Sequence, residues 1–146
     1  MPKILVLYYS QSGNTEKMAN QVAEGVRKSG ADVELSYHVN AEDLADFNAI
    51  IVGSPTYHHD MPMDVKRLFE EAAGKGISLK GKIGAAFGSY GWSGEAPKLV
   101  LEIMKNRFEM DVIEMPLLMR YTPDAEGLNR CQALGKLVSE KLIPPA

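Results

Sequence analysis

The order in which short apolar runs alternate with helical patterns constrains this chain more than any other feature. Ile4 to Tyr8 is an apolar run that reads as a strand buried on both faces. A polar segment, Ser10 to Thr15, leads into a helical pattern carrying Met18, Val22, Ala23 and Val26 and ended by Ser29-Gly30. Val33 to Tyr37 alternates weakly and reads as a second strand. Ala49 to Val52 is a third apolar run, stopped by Gly53-Ser54-Pro55. The spacing predicts a helix over Val65 to Ala73 that buries Val65, Leu68, Phe69 and Ala72. Ile83 to Phe87 is a fourth strand rich in small residues. A helix from Gly94 to Asn106 turns Leu99, Val100, Ile103 and Met104 inward. Val112 to Met115 reads as the fifth strand, and a last helix spans Asp124 to Leu142.

Strands that alternate with helices throughout imply a parallel sheet covered on both faces, because each right-handed crossover lays its helix on one side. The expected architecture is a doubly wound, five-stranded parallel sheet of order 2-1-3-4-5, filling residues 1–146 as a single domain. The length of 146 residues suits one domain, and 45% hydrophobic and 24% charged residues are enough to build and solvate a core. A net charge of −3 disfavours nucleic acid or an anionic membrane as partner. The single cysteine, Cys131, excludes an internal disulfide framework. The first apolar run is too short for a signal-peptide core or a membrane span, so a soluble cytoplasmic protein is expected.

In a doubly wound sheet, ligands bind outside the carboxyl ends of the strands, where the strand order reverses. The loops after strands one, three and four are therefore the ones to read for chemistry. The first, Ser10-Gln11-Ser12-Gly13-Asn14-Thr15, carries three hydroxyls, two amides and a glycine, and no charge. Such a loop can wrap a phosphate with N–H and hydroxyl donors at the positive end of a helix dipole. It has neither the Gly-Lys-Ser/Thr ending of a Walker A loop nor the glycine spacing of a dinucleotide fingerprint. A simple helix N-cap within a polar loop is the alternative reading. The second loop, Gly53-Ser54-Pro55-Thr56-Tyr57-His58-His59-Asp60, sets a ring and two histidines after a buried strand. In the third, Gly88-Ser89-Tyr90-Gly91-Trp92-Ser93-Gly94, the glycines admit a close ligand or φ > 0 turns, with Tyr90 and Trp92 between them. Two aromatic-bearing loops that face one another can sandwich a planar ring, or can pack on the domain's own surface.

These three loops resemble those of the flavodoxins. Ser10-Gln11-Ser12-Gly13-Asn14-Thr15 is similar to the family's FMN-phosphate loop, T/S-x-S/T-G-x-T. Ser54-Pro55-Thr56 and Phe87-Gly88-Ser89-Tyr90-Gly91-Trp92-Ser93-Gly94 resemble the flavodoxin domain of flavodiiron proteins. The resemblance covers nearly the whole chain and implies a flavodoxin-like fold with FMN as cofactor. It implies that Ser10, Ser12, Asn14 and Thr15 hold the phosphate, with N–H groups from Gln11 and Gly13. It places Ser54, Pro55 and Thr56 along the ribityl chain and ring edge, and Tyr57 and Trp92 against the isoalloxazine. Tyr90, Gly91 and Gly94, with Gly88 and Ser89 before them, shape the far loop, and His58 and His59 line the exposed flavin edge. Redox proteins would dock at that edge, near His58 to Met63 and Tyr90 to Gly94, with no nucleic acid or membrane involved.

Two features depart from the resemblance. The chain begins at the first strand, and its three histidines, His38, His58 and His59, make no spaced His/Asp/Glu set for a two-iron centre, so flavodiiron chemistry is not expected. Many flavodoxins have glycine where this chain has His58. Adjacent His58 and His59 make a poor metal pair with no third ligand. Cys131, three residues from Leu128 and from Leu134, has the spacing of a buried structural thiol, and His38 that of a solvated loop residue. Met61 and Met63 flank Pro62, either packing inward or forming a soft rim for partners.

The expected function is electron transfer by FMN, carrying low-potential electrons between redox proteins. A small FMN-dependent NAD(P)H-quinone oxidoreductase is the alternative, although no insertion for a substrate pocket is visible. A flavin-free response regulator needs an acidic cluster after strand one and an Asp ending strand three. Tyr9-Ser10 and Gly53-Ser54 stand there instead.

Overall fold

The apolar runs pair side by side as a parallel sheet. The computed structural model describes residues 2–9, 13–56, 60–91 and 94–142. In it β1 (Lys3–Tyr8), β2 (Asp32–Ser36), β3 (Ala49–Gly53), β4 (Ile83–Tyr90) and β5 (Asp111–Val112) lie in the order β2-β1-β3-β4-β5. Every pairing is parallel. This is the doubly wound order expected from the alternation. Four helices, α1 (Asn14–Lys28), α2 (Met63–Gly74), α3 (Glu95–Asn106) and α4 (Ala125–Leu142), complete the layers, with a 3₁₀ turn at Ala41–Asp46.

Side chains that alternate along each strand divide the core into two halves, one on each face of the sheet. Leu5, Leu7, Ile50, Val52 and Ala86 face α2 and α3, meeting Val65, Phe69, Val100 and Met104. Ile4, Val6, Ala49, Ile51 and Phe87 face α1 and α4, meeting Met18, Val22, Cys131 and Val138. The two helices on this second face touch backbone to backbone. A Cβ added at Gly25 would lie 2.0 Å from the Gln132 carbonyl oxygen, and one at Gly135 would lie 2.1 Å from that of Val22. Two glycines thus set the separation of α1 and α4.

The structure corrects three expectations. The fifth strand is not one run over Val112 to Met115. Its position beside β4 is filled by β5 and by a separate strand, β6 (Leu117–Arg120), which continues parallel to Phe87–Tyr90. Ala85 and Ala86 of β4 lie opposite residues 113–116, so the edge strand bulges there. Pro116 has no N–H to give a ladder, and Met115 is exposed. Secondly, β4 runs on to Tyr90, so Gly88, Ser89 and Tyr90 are strand rather than loop, because β6 supplies their partner. Thirdly, the buried face of α3 is Ala96, Val100, Leu101 and Met104, while Leu99 and Ile103 are only half-buried at its margin. The burial expected of α2, through Val65, Leu68, Phe69 and Ala72, holds in full.

Candidate functional site

The carboxyl ends of β1, β3 and β4 are held level by backbone hydrogen bonds that extend beyond the strands. The Tyr9 N–H donates to the Gly53 carbonyl at 3.0 Å, and the Ser54 N–H donates to the Phe87 carbonyl at 2.9 Å. The three loops therefore leave the sheet from a common edge.

At the first loop, α1 starts immediately after Gly13, whose φ of 87° is left-handed and favours glycine. Gly13 has no side chain, and the start of α1, the positive end of its dipole, carries no side-chain cap. Thr15, the second residue of α1, is buried. Its Oγ1 accepts the Ser89 N–H at 3.4 Å. A Cβ added at Gly53 would be 3.1 Å from the Thr15 methyl and 2.4 Å from the Phe87 ring, so the bare backbone of Gly53 is what lets Thr15 reach Ser89. One hydroxyl thereby joins the first loop to the third. Among the described residues no acceptor takes the Thr15 hydroxyl proton.

The second loop is folded on itself. Ser54 is fully buried, and its hydroxyl donates to the Pro55 carbonyl at 3.0 Å. It shapes the turn instead of presenting a donor to solvent. Thr56 Oγ1 accepts the Ala96 N–H at 3.0 Å and so caps α3 from outside. At the far end of this loop Asp60 is tied to α2 by an ion pair with Lys66, while its other oxygen accepts the Met61 N–H at 2.8 Å. The Lys66 ammonium holds the Asp60 carboxyl below the usual carboxylate range, helped by that N–H. Met61 is buried in the core and Met63 is exposed.

At the third loop the glycines serve packing. A Cβ at Gly88 would meet the Ser54 carbonyl oxygen at 2.1 Å, so Gly88 lets the second loop approach closely. None of Gly88, Gly91 and Gly94 has a positive φ, in contrast to the turn conformations open to them by sequence. The Tyr90 ring lies over Gly94, where a Cβ would be 3.2 Å from Cδ1. Ser10, Gln11, Ser12, Tyr57, His58, His59 and Trp92 lie outside the described residues. The structure thus brings together Gly13, Thr15, Ser54, Pro55, Thr56, Ser89, Tyr90 and Gly91 at one edge.

Two features went unread in the sequence. One is the Asp60–Lys66 tie. The other is the turn after β6, where the Ser89 hydroxyl donates to the Tyr121 carbonyl, the Tyr121 N–H to the Tyr90 carbonyl at 2.6 Å, and Arg120 Nε to the Gly91 carbonyl at 3.4 Å. The apolar run Leu117-Leu118-Met119 just after Pro116 is the signal that could have revealed it. Beside the first loop, on the β2 side, a cavity of 680 Å³ opens between Tyr8, Tyr9, Tyr37, Asp64 and Arg67. Burial, with the nearby Asp64 carboxylate adding to it, pushes the Tyr9 hydroxyl up to about 12.

A helix that starts at a left-handed glycine without a side-chain cap, at the carboxyl edge of a doubly wound sheet and beside the ends of β3 and β4, is the setting of a site for a phosphate-bearing mononucleotide. Residues 6–134 match the flavodoxin family, and the chain belongs to it. Its cofactor is FMN. A solved flavodoxin from the domain Archaea superposes with a TM-score of 0.89 at 38% identity, covering 96% of this chain and 98% of that one. A nitric oxide reductase of Moorella thermoacetica is 31% identical over 147 residues, covering 96% of this chain. The chain spans 36% of the length of that relative. An NAD(P)H dehydrogenase (quinone) of a Bradyrhizobium species is 40% identical over 114 residues, covering 61% of this chain and 57% of that protein. Among the described residues no helix is long and apolar enough to cross a membrane.

Proposed function

We propose that this chain is a diffusible electron carrier that holds one FMN at the carboxyl edge of its sheet and passes low-potential electrons between redox proteins. The observation that carries this reading is the likeness to the archaeal flavodoxin, which extends over nearly the full length of both chains. The phosphate would sit at the start of α1. There Thr15, and with it Ser10, Ser12, Asn14 and the N–H groups of Gln11 and Gly13, supply donors without a lysine. Thr15 suits this role because Ser89 already uses its oxygen as an acceptor, which leaves its proton for an anion. Ser54, Pro55 and Thr56 would line the sugar chain, with Tyr57 and Trp92 against the ring and His58 and His59 at its exposed edge. FMN supplies the redox chemistry when bound; the protein sets its access and potential. Partner proteins would dock over the edge formed by the second and third loops, where Met63 and Gly91 are exposed. Residues 1–146 form one domain in this reading, and a single buried cysteine suits the reducing cytoplasm.

A second reading rests on the similarity to the NAD(P)H dehydrogenase (quinone), namely a small FMN-dependent NAD(P)H-quinone oxidoreductase. Mixing the FMN-loaded protein with NAD(P)H and a benzoquinone separates the two. The carrier reading expects NAD(P)H to persist until a flavin-containing reductase is added, after which the quinone is consumed. Multiple-turnover NAD(P)H oxidation by the protein alone would make it an enzyme.

A further inference from the structure

We propose that Arg120 and Tyr121 are positioning residues for the third cofactor loop, and that they hold it in the geometry in which it receives the flavin. The inference rests on the cofactor reading above and concerns residues outside the three loops.

The third loop leaves β4 after Tyr90, at the carboxyl edge of the sheet. On one side β4 is paired with β3 only as far as Phe87, so Gly88, Ser89 and Tyr90 have no ladder partner there. Their order comes from the other side, where β6 pairs with them in register, Gly88 with Leu118, Ser89 with Met119 and Tyr90 with Arg120. β6 is only four residues long and lies at the sheet edge. A strand that short, at an edge, is weakly held by its ladder alone.

The chain immediately after β6 then closes a clamp. The Tyr121 N–H donates to the Tyr90 carbonyl at 2.6 Å, and the Ser89 hydroxyl donates to the Tyr121 carbonyl. Arg120 Nε donates to the Gly91 carbonyl at 3.4 Å, one residue further into the loop. The Arg120 guanidinium stacks on the Tyr121 ring at 5.1 Å from its centroid, which fixes the fork that makes this bond. That ring also bounds the loop directly, since a Cβ at Gly91 would come within 3.4 Å of it. Tyr121 adopts φ 58°, a left-handed conformation that a residue with a side chain rarely takes. The surrounding hydrogen bonds and the stacked arginine are what hold it there. Ser89 carries the clamp onward, because its N–H reaches Thr15 at the start of α1. Ser89, Tyr90 and Gly91, where β4 gives way to the third loop, are thus fixed from the 120–121 turn, and Ser89 reaches Thr15 in turn.

Arg120→Ala and Arg120→Lys test the proposal, because Arg120 is exposed and its replacement leaves the core intact. Two readouts are needed. Hydrogen exchange of the Tyr121 amide in the apoprotein reports the clamp without any cofactor, and titration of apoprotein with FMN reports the loop's fitness to bind. In Arg120→Ala the Tyr121 amide should exchange about fivefold faster, and the FMN Kd should rise about fivefold or more, the effect of one ordinary hydrogen bond. Lysine keeps the charge but has neither the Nε donor nor the planar stack, so Arg120→Lys should behave like alanine. Wild-type affinity in Arg120→Lys would show that charge, not position, is what Arg120 contributes, and would overturn the proposal. Unchanged Tyr121 exchange in Arg120→Ala would overturn it equally. If wild-type apoprotein takes up no FMN, the cofactor reading fails, and the exchange measurement still decides whether Arg120 holds the turn.

Discussion

Thr15 carries two duties with one oxygen, and its substitutions separate them. Thr15→Val removes the donor expected to reach the phosphate and also strips the buried Ser89 N–H of its acceptor. Loss of a charge-assisted hydrogen bond costs about 1.5–3 kcal/mol, so FMN affinity should fall roughly tenfold to a hundredfold. The unpaired N–H should lower apoprotein stability as well, by about 1–3 kcal/mol. Thr15→Ser keeps the oxygen and should stay close to wild type on both counts. FMN titration and urea unfolding of the apoproteins check this, and unchanged affinity in Thr15→Val removes Thr15 from the phosphate site. Cys131 gives a second test at this scale. Burial pushes its thiol up to about 12, above the value of 9.0 that it has in the unfolded chain. The folded state therefore holds its proton where the unfolded state releases it. The associated stability is complete below pH 9 and is lost as pH rises toward 12. Tyr9, also pushed up to about 12, acts in the same direction from pH 10 upward. Unfolding midpoints should fall through this alkaline window, and Cys131→Ala should flatten the fall. An identical slope in the variant contradicts the assignment.

Among the elements, the α1–α4 contact is the most demanding. Gly135→Ala would drive a Cβ to within 2.1 Å of the Val22 carbonyl oxygen, with backbone on both sides and no side chain free to yield. The helices must part, at a cost of about 1–3 kcal/mol or more. Gly74→Ala makes the contrast. It ends α2 with nothing within 4 Å of the added atom, and should gain about 0.4–1 kcal/mol from the unfolded state. Urea unfolding of the two variants should move in opposite directions. What could be read of the elements from sequence follows the same division between local and distant causes. The buried face of α2 was legible because Val65, Leu68, Phe69 and Ala72 repeat at helical spacing, and that spacing is a local property. The end of β4 was not. Gly88-Ser89-Tyr90 has loop composition, and it becomes strand only because Leu117–Arg120, thirty residues on, pairs with it. The fifth strand was placed too early for the same reason. Val112 to Met115 is the more obvious apolar run, but Pro116 interrupts it and the ladder resumes only at Leu117. In the candidate site, the positions of Gly13 and Thr15 at a helix start were legible from the hydroxyl-glycine pattern. The close approach of the Ser54 carbonyl to Gly88 was not legible, because a buried carbonyl facing a glycine leaves no trace in composition.

For the molecule as a whole, a single sheet with a core on each face supports three loops that leave it from one edge. The elements that carry the loops are tied together at that edge, Thr15 of α1 to Ser89 of β4, Thr56 to Ala96 of α3, and Ser89 to Tyr121 after β6. Among the described residues these links order the edge without a ligand, which favours tight binding of one rigid cofactor. The hydroxyl-rich sequence Ser10 to Thr15 suits one terminal phosphate, in keeping with the mononucleotide cofactor of the family. The central claim is tested most directly by releasing the flavin from the purified protein with heat and identifying it by chromatography against protein concentration. One FMN per chain is the expected result. Stoichiometric FAD, or a protein that neither retains nor takes up flavin, would contradict it.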